Sequence, residues 1–307
     1  MFVLSVAKIL ILHVGLCYLW YAFAEKKEAF AGTDSYDALV FASAGYCQPW
    51  RVSNWTMKNE GCKKSTSSFL VEKVYNGPEN AFAFVGLDVS KKWIVAAFKG
   101  TNSSVEDFIE DLEGGEFMTQ SCEANGTQFP GKSHSGFCEF YKKIAKNGLA
   151  ADILSLKNQY PAYDVVFTGH SLGATAAIYA AYDTTIRSNN TLRCKVFGFG
   201  QPRIGNHEFA SSVASTIGEN IFRVVHRSDI VAHLPICCSV FGSACGTSDK
   251  CPYHLSGEYW YNNEMIDVDN FRACDGGEDP SCSNMFDLSV DDHTHYYGVE
   301  VGDYCCF

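Results

Sequence analysis

The residues with the most definite chemistry stand at Gly169-His170-Ser171-Leu172-Gly173. A serine at the centre of G-x-S-x-G can attack a carbonyl carbon when the chain turns sharply enough to present its hydroxyl, which requires a strand before it and a helix after it. Both are legible here. Asp164-Val165-Val166-Phe167-Thr168 reads as a buried strand, and the small-residue stretch from Ala174 to Ala181 reads as a helix. The residues two before and two after the serine then lie against each other, so both are Gly. The helix that follows would aim its N-terminal N–H groups at the negative charge developing on the attacked oxygen.

A serine is a weak nucleophile without a base and a carboxylate to orient that base, and in this arrangement the chain order is Ser, then acid, then His. Asp229 follows the apolar run Ile221 to His226 by a short loop, which puts it at the same carboxyl edge as Ser171. Asp275 and Asp279 lie in glycine-rich loops with no strand to position them. Among the later histidines, His207 precedes the acid, His226 falls in strand register and His233 sits too near Asp229. His254 falls within a cysteine-rich stretch. His293 and His295, in Asp291-Asp292-His293-Thr294-His295-Tyr296-Tyr297, remain, and residue type and spacing leave either open.

The elements that must position these groups form a regular alternation. Buried strands are expected at Ala81 to Leu87, Trp93 to Phe98, Asp164 to Thr168, Lys195 to Phe199 and Ile221 to His226, and helices at Phe137 to Gln159, Leu172 to Arg187 and Asn206 to Ile217. Such an order predicts an α/β fold with a mostly parallel central sheet, helices on both faces and the ligand at the carboxyl ends of the strands. No repeat, low-complexity tract or Pro/Gly-rich linker divides the chain, so residues 25–307 are expected to form one domain. The 307 residues, 47% hydrophobic and 19% charged with 22 Phe and 16 Tyr, are far from the composition of disordered chains. A net charge of −11, with no run of basic residues longer than a pair, removes the electrostatic footprint of nucleic-acid binding.

Residues 1–24 read as a secretory leader. Lys8 precedes an apolar run from Ile9 to Ala24, broken only by His13, which ends in the small-residue pattern Ala22-Phe23-Ala24. That run falls short of the ~20 residues a membrane anchor needs. Export suits the 14 Cys and the sequons at Asn54, Asn102, Asn125 and Asn189. Cys237, Cys238, Cys245, Cys251 and His254 could be arranged as a zinc site, but in an oxidising compartment disulfides are the better expectation. With Cys17 in the leader, an odd number of Cys is left, and Cys194 at the head of an apolar run is the candidate for the unpaired thiol.

Six blocks in order, Phe98-Lys99-Gly100-Thr101, His134-Ser135-Gly136-Phe137, Gly169 to Gly173, Phe199 to Asn206, Asp229 to Pro235 and Asp292-His293, resemble the class 3 (fungal-type) lipase family. The likeness runs from about Tyr36 to the end. It implies an α/β-hydrolase fold and a triad of Ser171, Asp229 and His293, the last because an aromatic pair and a Gly follow it at Tyr296-Tyr297-Gly298. It places oxyanion donors at Thr101, by backbone and hydroxyl, and at the backbone of Leu172. By the same likeness Cys274 pairs with Cys282, and Cys47 with Cys305 or Cys306. The implied activity is a secreted serine ester hydrolase without cofactor or metal, acting on an acyl ester, foremost a neutral lipid, at a lipid–water interface. Phospholipase A1 and feruloyl-type esterase share fold and triad, and a non-catalytic lipid-binding protein on the same fold is the reading from another class. Ala174, where the family often has a second Gly, and the Cys237 to Cys251 insertion depart from the pattern, so substrate preference does not carry over.

One more element bears on function. From Ser104, apolar residues at 105, 108, 109 and 112 make the stripe of an amphipathic helix, with Glu106, Asp107, Glu110 and Asp111 on the other face and a capping box at Ser103 and Glu106. Its position just after Thr101 resembles the mobile lid of the fungal-type lipases. The stripe would cover Ser171 in water and turn out onto lipid. A glycan at Asn102 would crowd the hinge.

Overall fold

The computed structural model describes residues 30–101, 105–114, 120–238, 245–283 and 288–307. The expected leader, the sequon Asn102 and the capping residue Ser103 lie outside them. The main sheet has eight strands: β1 (Phe69–Asn76), β2 (Phe82–Asp88), β3 (Trp93–Phe98), β4 (Asp164–His170), β5 (Cys194–Phe199), β6 (Ile221–His226), β7 (Glu258–Tyr261) and β8 (Arg272–Ala273). They lie side by side in chain order. β1, β2 and β3 pair antiparallel, β3 through β7 run parallel, and β8 closes the far edge antiparallel.

Apart from Asp164 at the start of β4, the parallel strands are buried throughout, as continuous Val, Ile and Phe runs require, because both faces are covered. Side chains alternate between the two faces. Val165 and Phe167 join the cluster beneath α3 (Ser135–Ala145), α4 (Leu149–Gln159), α5 (Leu172–Arg187) and α6 (His207–Ile217), whereas Val166 joins a second cluster on the opposite face. That second face is covered by α1 (Gly32–Ala44) and by the C-terminal segment carrying Tyr296, Tyr297, Val301 and Cys305. The Ala-rich α5 is buried along nearly its whole length, which its small side chains allow against the sheet.

Some expectations need correction. The helical stretch expected from Phe137 to Gln159 is two helices, α3 and α4, separated at Gly148. Its φ of +84° is a left-handed conformation that a helix interior does not adopt, and Asn147-Gly148 is the turn signal. α1, β1, β7 and β8 were not among the expected elements. The cysteines pair as Cys47–Cys306, Cys62–Cys305, Cys122–Cys138, Cys237–Cys245, Cys238–Cys251 and Cys274–Cys282, with Cys194 free and buried. The alternative between Cys305 and Cys306 thus resolves to Cys306, and the four Cys of the zinc reading are engaged with one another. No helix among the described residues is long and apolar enough to cross a membrane.

Candidate active site

β4 ends at His170 and α5 begins at Leu172, so Ser171 alone makes the turn, at φ +58° and ψ −128°. This is a strained backbone for a residue with a Cβ. Its N–H is anchored to the Phe199 carbonyl on β5 at 2.9 Å. A Cβ on Gly169 would stand 2.3 Å from the Gly173 carbonyl carbon, so the close approach is real and only Gly fits. Ser171 is 1% exposed, and its hydroxyl has no hydrogen-bond partner among the described residues.

Asp229 lies in the loop after β6 and is fully buried. Its Oδ1 accepts the N–H groups of Val231 at 2.8 Å and Ala232 at 3.2 Å. His293, on a short helix (Val290–Thr294), brings Nδ1 to 2.9 and 3.0 Å from the two carboxylate oxygens. The hydroxyl of Tyr296 donates to Oδ2 at 2.5 Å. Burial alone would push the Asp229 carboxyl up. The adjacent His293, with its hydrogen bond and that of Tyr296, outweighs burial and brings it down to about 2. The carboxylate therefore stays ionised and acceptor-only, which fixes the proton on His293 Nδ1 and leaves Nε2 as its basic nitrogen.

The histidine left open by spacing is separated by burial. His293 is 1% exposed in its side chain, whereas His295 is 41% exposed and turns to Asp291. His233 is held between the carbonyls of Asp229 and Ser283, and His254 packs against Arg223 in a buried ion cluster. His226 faces the Asp292 carbonyl, and His207 packs on Tyr253. None of these four meets the Asp229 carboxylate.

Thr101 follows the end of β3, and a Cβ on Gly173 would overlap the Phe98 carbonyl at 2.3 Å, so the start of α5 abuts the strand that leads to Thr101. Thr101 and Leu172 both line a cavity of about 450 Å³, together with His134 at the start of α3 and Phe137 and Phe140 within it. Glu79, Asn80, Glu139 and Lys143 form a polar part of its wall, and another part is the expected amphipathic helix, α2 (Val105–Gly114). Phe108 and Leu112 of its stripe are buried and line the cavity, Val105 and Ile109 are half-buried, and Glu106, Asp107 and Glu110 are exposed.

Tyr296 and Gly200 are site residues that the sequence reading passed over. Gly200 has φ +54°, and a Cβ there would stand 2.5 Å from Asp229 Oδ2 and 2.7 Å from His293 Nδ1. The Phe199-Gly200-Gln201-Pro202 block carried the signal, a Gly directly after a buried strand.

A serine turn between strand and helix, on a sheet of this order and beside an Asp–His pair, defines an α/β-hydrolase. The sequence model described as Lipase (class 3) matches residues 95–239. The chain is 34% identical over 226 residues to a lipase of Rhizomucor miehei, covering 72% of this chain and 56% of that protein. It is 32% identical over 260 residues to Lipase ZK262.3 of Caenorhabditis elegans, covering 78% and 70%. The structure of the Rhizomucor miehei lipase propeptide complex superposes with a TM-score of 0.72 at 27% identity, over 88% of this chain and 81% of that one. The chain belongs to the class 3 lipase family, and it spans little more than half the length of the Rhizomucor relative.

Proposed function

We propose that the chain is a secreted serine ester hydrolase acting on neutral acylglycerol-type lipid at a lipid–water interface. Ser171 attacks the ester carbonyl carbon while His293 Nε2 takes its proton, and the same proton passes to the departing alcohol. Water, activated by His293, then releases the acyl group from Ser171. Asp229 holds the tautomer of His293 and stabilises the imidazolium, and the N–H groups at Leu172 and Thr101 receive the oxyanion. The observation that carries this reading is the buried Asp229–His293 pair, packed on the turn where a serine is held at positive φ between a strand and a helix.

The neutral-lipid preference draws support from α2. An apolar stripe over the cavity with carboxylates outside favours an uncharged surface over an anionic one. The disulfides and the leader-like residues 1–24 support export, with residues 25–307 as one catalytic domain. A panel of triglyceride emulsion, phosphatidylcholine vesicles and a short water-soluble ester tests the reading. Triglyceride turnover well above the other two is expected. Phosphatidylcholine as the best substrate points to a phospholipase, the soluble ester to an esterase, and no turnover of any to a binding protein.

A further inference from the structure

The residue between Gly169 and Ser171 has no role in the chemistry above, yet it is the most heavily engaged side chain at the elbow. His170 is 5% exposed and its ring stacks on that of His293, centroids 4.5 Å apart. Its Nε2 lies 2.7 Å from the main-chain carbonyl of His293, and its Nδ1 lies 2.8 Å from the hydroxyl of Tyr46. A carbonyl only accepts, so Nε2 carries the proton. Burial, and next the proximity of His293, push His170 down to about 3, so the ring is neutral and Nδ1 has a lone pair that Tyr46 must donate to. The Tyr46 oxygen in turn lies against the backbone of Gly100. A Cβ on Gly100 would sit 1.9 Å from that oxygen, so Gly is required for the approach.

These contacts run in one line, from the backbone of Gly100 packed on the Tyr46 oxygen, through the Tyr46 O–H to His170 and on to the His293 carbonyl. Gly100 precedes Thr101, His170 precedes Ser171, and His293 pairs with Asp229. We infer that Tyr46 and His170 are positioning residues that tie the loop of the oxyanion donor to the backbone of the base across the nucleophile turn, so that the three groups keep one spacing. His170 also presents an uncharged face to His293 when that ring gains its proton, and stacking there adds no like-charge repulsion. The inference rests on the roles proposed for Ser171, Thr101 and His293.

The test uses His170→Phe, which keeps an aromatic face but no polar atoms, Tyr46→Phe, the double variant, and His170→Gln, whose amide can both donate and accept. On a short soluble ester, each Phe variant should lose about 10- to 100-fold in kcat with KM within about twofold of the parent. The double variant should lose no more than the worse single, since one chain is cut either way. His170→Gln should recover most of the loss. The low-field proton resonance of His293 Nδ1–H, which arises from its bond to Asp229, is followed in the same variants. It should broaden or shift in both Phe variants and return in His170→Gln. A change in KM with kcat intact, losses that multiply in the double variant, or an unaltered resonance in His170→Phe would each overturn the inference. Should the parent protein turn over no ester, the proposed activity fails, and the resonance decides the positioning role by itself.

Discussion

Gly200 is where one methyl group tests the site most sharply. Its N–H is bonded to the Val224 carbonyl at 3.1 Å, so the backbone cannot retreat without breaking the junction of β5 and β6. In Gly200→Ala the new Cβ meets Asp229 Oδ2 at 2.5 Å, His293 Nδ1 at 2.7 Å and His293 Cε1 at 2.9 Å, each well inside van der Waals contact. Relief requires the carboxylate and the imidazole to move apart by something near an ångström. A displacement of ~1 Å at a reacting group costs ~10²-fold, and full loss of the orienting acid costs ~10⁴-fold, so kcat should fall by between those limits. The left-handed φ adds ~1–2 kcal/mol and the overpacking ~1–3 kcal/mol, a loss of roughly 3 to 9 °C in Tm for a chain of this length. Gly276→Ala is the control: φ there is +71°, but nothing lies within 4 Å of the new Cβ. It should lower Tm slightly and leave kcat alone. Initial rates on a soluble ester and calorimetry of both variants decide the matter. A Gly200→Ala protein within about threefold of parental kcat would refute the claim that the Asp229–His293 contact organises turnover.

Acid should expose the state of Asp229. Its carboxyl sits at about 2 in the folded protein, below the ordinary 3.8. The stability this supplies, about 2 kcal/mol, is fully present above the ordinary carboxylate range and is lost as pH falls towards 2. Tyr296→Phe removes one of the bonds that lower it, so the acid unfolding midpoint, followed by circular dichroism, should move to higher pH; an unmoved midpoint contradicts the assignment. The bridges Cys47–Cys306 and Cys62–Cys305 close nearly the same loop. Losing either pair alone should therefore cost about 3 kcal/mol, since the other still ties the ends, and losing both should cost about 8 kcal/mol. Strictly additive losses in denaturant titrations would argue against a shared loop. If α2 acts as a lid, hydrolysis of tributyrin should steepen at its solubility limit and fall when anionic lipid is mixed in, since Phe108 and Leu112, which line the cavity, would swing out of it. A smooth curve through that limit removes the lid while leaving the hydrolase reading intact.

What could be read from the sequence divides along the distance between the residues concerned. The elbow at Ser171 is local: strand, turn and helix are contiguous, and the close approach of Gly169 to Gly173 follows from their spacing alone. The strands β2 to β6 were legible because burial on both faces leaves uninterrupted apolar runs. β1 was not, since as an edge strand it mixes buried and exposed positions and its pairing is interrupted between Val71 and Lys73. His293 could not be told from His295 by residue type, because the difference is which one the C-terminal segment buries against a loop 64 residues earlier. Tyr46 and Tyr296 were hidden for the same reason. An aromatic in an apolar context reads as core, and only the fold shows that each hydroxyl ends on a polar atom of the site.

The most direct measurement of the central claim is the rate and position of capture by a fluorophosphonate. A single adduct on Ser171 is expected by peptide mapping, absent in Ser171→Ala, formed about 10³-fold or more slowly in His293→Ala and at the parental rate in His295→Ala. No adduct on the native protein, an adduct on another residue, or normal labelling of His293→Ala beside a block in His295→Ala would contradict it.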